Sequence, residues 1–81
     1  MKEREEANKI IDYIDLNGIF DKKNDTESFQ INKVNGNEYV VKIVDSDVTQ
    51  DNHKTYSHDR EGLEEFLTAL LANPVSILHR L

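Results

Sequence analysis

The stretch 28–44, SFQINKVNGNEYVVKIV, constrains this chain most, because two runs of β-branched and aromatic residues flank Asn35-Gly36-Asn37. Such residues suit a pleated surface, and Asn and Gly tolerate the positive φ of tight hairpin turns. Two loop lengths compete. A two-residue turn at Asn35-Gly36 pairs Ile31 with Val40 and Phe29 with Lys42, which mixes apolar and polar faces. A three-residue loop at 35–37 pairs Val34 with Glu38, Ile31 with Val41 and Phe29 with Ile43, gathering Phe29, Ile31, Tyr39, Val41 and Ile43 on one face. A one-residue slip turns a strand's apolar set over, so the sequence predicts the second register. The reverse face, with Gln30, Asn32, Glu38 and Lys42, is polar apart from Val34, Val40 and Val44.

The flanking segments read as helices. Ala7, Ile10, Ile11 and Ile14 form an amphipathic stripe within 3–16, with Tyr13 at its margin. Asn17-Gly18 stops this helix, with Gly18 in the left-handed position and Ile19 folding back on Ile14. Phe20 anchors the exit into 21–27, DKKNDTE, which lacks periodicity and reads as a loop. Residues 45–52 read as a second, exposed loop, and 53–57, HKTYS, as a third strand beside 40–44 with Lys54 guarding its edge. Asp59 suits the cap of a helix whose stripe is Leu63, Phe66, Leu67 and Leu70, with Leu71 alongside. Asn73-Pro74 ends that helix and starts a short one lined by Val75, Leu78 and Leu81, with Ile77 at its flank. Two helical stripes and one apolar sheet face must be buried together. The expectation is an α+β fold, a two-layer α-β-β-(β)-α-α arrangement in which an antiparallel meander carries the helices on one face.

Residues 1–81 make one domain, and a chain this short buries about 60 to 65% of its unfolded surface. The absence of cysteine excludes disulfides, thiolate zinc sites and thiol nucleophiles. No apolar stretch approaches the roughly 20 residues of a membrane span, and MKEREEANK is too charged for a signal peptide. A cytoplasmic location without membrane contact is expected. Net charge is −6, from sixteen acids and ten bases. That balance repels phosphate backbones and disfavours direct nucleic-acid binding.

The residues that could carry chemistry have plainer readings. Ser57-His58-Asp59 holds the residue types of a hydrolytic triad, but neighbours in sequence do not converge on one point. Asp45-x-Asp47-x-Thr49-x-Asp51 begins like a calcium loop, yet Gln50 and Tyr56 stand where glycine and glutamate are required. His53, His58 and His79 match no zinc spacing. Asp12 with Asp15, and Glu64 with Glu65, lie on polar helix faces and read as solvated charge with no Lys, His or nucleophile tied to them. No catalytic residue, cofactor site or metal site is expected.

The feature with functional content is the acidic run Asp45, Asp47, Asp51, Asp59, Glu61, Glu64 and Glu65. Solubility alone explains charge of this size in a small domain. The sharper reading is a surface that engages a basic protein groove. A homodimer seam through Leu71, Val75, Ile77, Leu78 and Leu81 is a second expectation, set against closure of the core by the same residues. Together these features suggest a small acidic, non-enzymatic protein-interaction module of a phage or mobile element.

The hairpin segment 33–42, KVNGNEYVVK, in an acidic, cysteine-free chain with helices before and after, resembles the type II-A anti-CRISPR proteins of phages. The resemblance implies an inhibitor whose acidic side chains imitate DNA in the groove of Cas9 that reads the motif beside the target. The α-β-β-β-α order is also similar to that of double-stranded RNA-binding domains. In that family a basic cluster opens the last helix; Asp59, Glu61, Glu64 and Glu65 replace it here and exclude that function.

Overall fold

A 16-residue helix, α1 (Lys2–Asn17), opens the computed structural model, which describes residues 2–44 and 53–81. Its buried residues Ala7, Ile11 and Ile14 recur at helical spacing, and Ile10 is half-buried beside them. Gly18 terminates it at φ +85°, and the Gly18 N–H donates to the Ile14 carbonyl at 2.6 Å. Only glycine adopts that backbone conformation without strain.

The chain then departs from the expected loop. Ile19, 39% exposed, begins a strand, β1 (Ile19–Lys23), that pairs antiparallel with β2 (Ser28–Asn35). Phe20 is its single inward anchor, edge-on to Tyr13 at 6.2 Å and to Phe29 at 6.4 Å. An edge strand draws its order from backbone pairing with its neighbour, so one half-buried ring suffices and no alternation is written in DKK. The turn back is built by Asn24, whose Oδ1 accepts the N–H of Thr26 at 3.0 Å and of Glu27 at 2.7 Å.

β3 (Glu38–Val44) and β4 (His53–His58) complete an antiparallel meander in the order β1-β2-β3-β4. Ile31 opposes Val41 and Phe29 opposes Ile43, the predicted register. The hairpin tip differs. Asn35, not Val34, opposes Glu38, so the loop is Gly36-Asn37 and Val34 falls in a bulge, 56% exposed. Neither loop residue has a positive φ. A bulge adds local right-handed twist, which supplies what left-handed turn residues would otherwise provide. The third strand forms beside β3 as expected, and the predicted loop 45–52 lies outside the described residues.

Asp59 caps α2 (Arg60–Ala72), its Oδ1 accepting the Gly62 N–H at 2.8 Å. Leu63 and Leu67 are buried, with Phe66, Leu70 and Leu71 packed against the core. The last helix does not begin at Asn73-Pro74. Asn73 closes α2, and its Oδ1 accepts the Val75 N–H at 3.1 Å to make a turn. Ser76 then donates its hydroxyl to the Leu70 carbonyl at 2.6 Å and precedes α3 (Ile77–Arg80). This turn rotates the apolar set by the residues it consumes. Ile77 and Leu78 enter the core, whereas Val75 is 71% exposed.

The core thus joins Ala7, Ile11 and Ile14 of α1, Leu63 and Leu67 of α2, and Ile77 and Leu78 of α3 to Phe29, Ile31, Tyr39 and Val41 of the sheet. The helices cover that one sheet face. On the other, Gln30, Asn32 and Val40 are half-buried and Lys42 is exposed. Among the described residues no helix is long and apolar enough to cross a membrane.

Candidate functional site

The first turn of α2 brings three of the predicted partner-binding carboxylates together. Asp59, Glu61 and Glu64 line a depression of about 350 Å³, with Asn37 of the hairpin loop and Arg60 completing its wall. Glu65 lies four residues beyond Glu61 on the same helix, and both are exposed. Their neighbours are engaged: Asp59 caps α2, and Glu64 forms an ion pair with Arg4 of α1. Glu61 and Glu65 form no ion pair among the described residues, so they are the carboxylates most available to a cation. Asp45, Asp47 and Asp51 lie outside the described residues.

Arg60 belongs to the wall of this depression, but its guanidinium is bound to α1. Nη2 donates to Asp12 Oδ1 at 3.0 Å, and Nη1 donates to Asp15. Asp15 also accepts the Tyr39 hydroxyl at 2.6 Å and the Lys33 ammonium at 3.0 Å. These donors, the Tyr39 hydroxyl foremost, hold the Asp15 carboxyl below the ordinary aspartate range despite partial desolvation. Burial, then the adjacent Asp15 carboxylate, pushes the Tyr39 phenol up. The bond to Asp12, with Asp15 assisting, raises Arg60 further against its own desolvation.

This arrangement corrects the reading of Asp15 as solvated charge, whereas Asp12, paired with Arg60, stays largely exposed. Asp15 is tied to a lysine, an arginine and a tyrosine from β2, α2 and β3, partners 18, 45 and 24 residues distant. Proximity across such separations is not visible in the helix's own pattern. One signal was present: a tyrosine at an inward strand position needs an acceptor for its hydroxyl. Chemically the group is a clamp, since an ionised Asp15 and a protonated Tyr39 stabilise each other. Glu64 is likewise bound rather than free, through Arg4.

A second pair escaped the sequence reading altogether. Glu27, 7% exposed, accepts Nε of Arg80 at 3.1 Å and Nη2 at 2.9 Å, while Arg80 Nη1 donates to the Val75 carbonyl at 2.6 Å. It fastens α3 to the β1–β2 turn. Nothing in DKKNDTE or SILHRL marks either residue as a partner of the other.

Ser57, His58 and Asp59 do not converge. The Ser57 hydroxyl donates to Glu38 Oε2 at 3.0 Å, Asp59 caps α2, and the His58 ring packs 5.0 Å from that of Phe66. His79 Nε2 lies 2.8 Å from the Leu71 carbonyl. Among the described residues no three metal-ligating side chains gather. Of the residues expected at a homodimer seam, Ile77 and Leu78 are buried in the core, Leu71 and Leu81 are half-buried, and Val75 is exposed.

Charge is divided between the layers. The four strands carry five lysines against Asp21 and Glu38, whereas α1 and α2 carry eight acids against four bases. The acidity read from the whole sequence is therefore concentrated on the helices and connections. Comparison with protein-family models, with curated proteins and with solved structures gave no match.

Proposed function

We propose that this protein is a small, non-enzymatic interaction module of a phage or mobile element, acting in the cytoplasm by presenting its acidic helical side to a basic groove of a partner protein. The observation that carries this reading is the depression at the start of α2, where Asp59, Glu61 and Glu64 meet. A guanidinium or ammonium group entering it meets several carboxylates at once, and Glu65 extends the negative surface one turn further. The commitment of Ser57, His58 and Asp59 to three different contacts supports a role without chemistry of its own.

An amide chemical-shift titration with a hexa-arginine peptide tests the reading. Shifts centred on Asn37 and residues 59–65, abolished by Glu61→Gln with Glu65→Gln, are the expected result. Shifts confined to other surfaces would overturn it.

The narrower reading is a DNA-mimicking inhibitor of the anti-CRISPR kind. The exposed Glu61 and Glu65 and the KVNGNEYVVK hairpin favour it. Its test is target cleavage by a type II-A Cas9. Inhibition should appear when the protein is added before DNA and should fade when DNA is added first, and equal cleavage in all orders would refute it.

A further inference from the structure

Among the described residues the sheet has one edge that is poorly guarded. β4 pairs with β3 through six successive residues without a bulge, and among the described residues no strand lies on its other side. Edge strands that remain single are normally blunted by charge, proline, bulges or a covering segment. The opposite edge, β1, carries Asp21, Lys22 and Lys23 in five residues, whereas β4 carries Lys54 as its one permanent charge in six. Tyr56 stands on the helix side of β4, opposite buried Val41, with its ring 5.6 Å from Phe66 and 37% of the residue exposed. Next along that face is His58, whose Nε2 is buried with no hydrogen-bond partner among the described residues.

We propose that this edge docks a second copy of the chain, the two β4 strands pairing antiparallel about a two-fold axis at Tyr56 to form one eight-stranded sheet. Centring the pair on a residue keeps opposed side chains on the same face, so both helical layers lie on one side of the joint sheet. Tyr56 then meets its own counterpart, Thr55 meets Ser57, and Lys54 meets His58. Aromatic and hydroxyl pairs of this kind are favourable cross-strand neighbours, and no two lysines are opposed. Two-fold symmetry makes each of the off-axis pairings twice in an isologous interface, so the self-compatible order Lys54, Thr55, Tyr56, Ser57, His58 favours a second copy as the occupant. The interface is distinct from the acidic depression and from the C-terminal seam.

The test is sedimentation equilibrium of the full chain across a concentration series, with two variants that share one site. Thr55→Glu with Ser57→Lys suits Lys42 and Glu38 within the chain and opposes unlike charges twice across the axis. Two such pairs should tighten the dimer about tenfold. Thr55→Lys with Ser57→Lys opposes like charges twice and should weaken it by a similar factor, with amide spectra confirming that both variants fold. A wild-type chain that stays monomeric, or variants that associate equally, would overturn the proposal.

Discussion

The Tyr39 hydroxyl donates to the Asp15 carboxylate across 2.6 Å, joining the core face of β3 to the last turn of α1. Tyr39 is 1% exposed, so its ring is core and only its hydroxyl reaches the clamp. Tyr39→Phe keeps the ring and removes the bond. Hydrogen bonds to charged groups contribute about 1.5 to 3 kcal/mol, and a loss in that range is expected in urea unfolding followed by far-UV circular dichroism. An unchanged midpoint would mean that Lys33 and Arg60 alone hold Asp15.

The same clamp sets a pH dependence. The carboxyl of Asp15 is held below its ordinary range, chiefly by Tyr39, so folding draws stability from the ionised form. That contribution is complete above the ordinary aspartate range and is lost as the pH falls through the lowered folded value. Asp15→Asn should therefore flatten the acid limb of a stability-against-pH curve while lowering stability at neutral pH. At the alkaline end the raised Tyr39 phenol works in the opposite sense, giving stability that is lost as the pH climbs past the ordinary tyrosine range. Tyr39→Phe should remove that alkaline decline.

Glu27 and Arg80 test the attachment of α3. Their side chains are 7% and 30% exposed, so the pair is shielded on one side only. Removing one member of a fully buried pair costs about 3 to 5 kcal/mol, and the partial exposure of Arg80 reduces the expected cost of Arg80→Ala to about 2 kcal/mol. Glu27→Gln should cost less, because it leaves no buried charge behind. Thermal melts of both variants check the order, and the reverse order would contradict it.

The two loop glycines should behave differently. Gly18 sits at φ +85°, and an alanine there is expected to cost about 1 kcal/mol because a Cβ is strained in that conformation. Gly36 has an ordinary φ, and a Cβ built on it meets nothing within 4 Å. Gly36→Ala should change stability by less than about 0.5 kcal/mol. Parallel melts decide, and a larger loss at Gly36 would contradict the bulged hairpin tip.

The sequence displayed whatever depends on local pattern. The stripe of Ala7, Ile11 and Ile14, the Asp59 cap and the pairing of Ile31 with Val41 each follow from spacing within a few residues. Hidden were the features that depend on partners far along the chain. β1 is ordered by β2 rather than by its own pattern, and the bulge at Val34 is a matter of twist that no pairing rule on side chains reveals. The acidic surface was legible as composition. Asp59's commitment to the cap was local and legible; that Glu64 is bound to Arg4 while Glu61 and Glu65 stay exposed required the packing of α1 on α2.

The proposed role rests on exposed carboxylates of α2 meeting a cationic partner. The most direct measurement is the salt dependence of hexa-arginine affinity by calorimetry, for the wild type, for Glu61→Gln with Glu65→Gln, and for Glu3→Gln with Glu5→Gln as a charge-matched control on α1. Steep weakening with salt is expected in the wild type and the control, since exposed charges are screened beyond about 8 Å at physiological ionic strength. A shallower slope and weaker binding are expected in the α2 variant alone. Equal affinity and slope in the α2 variant and the control would contradict that role.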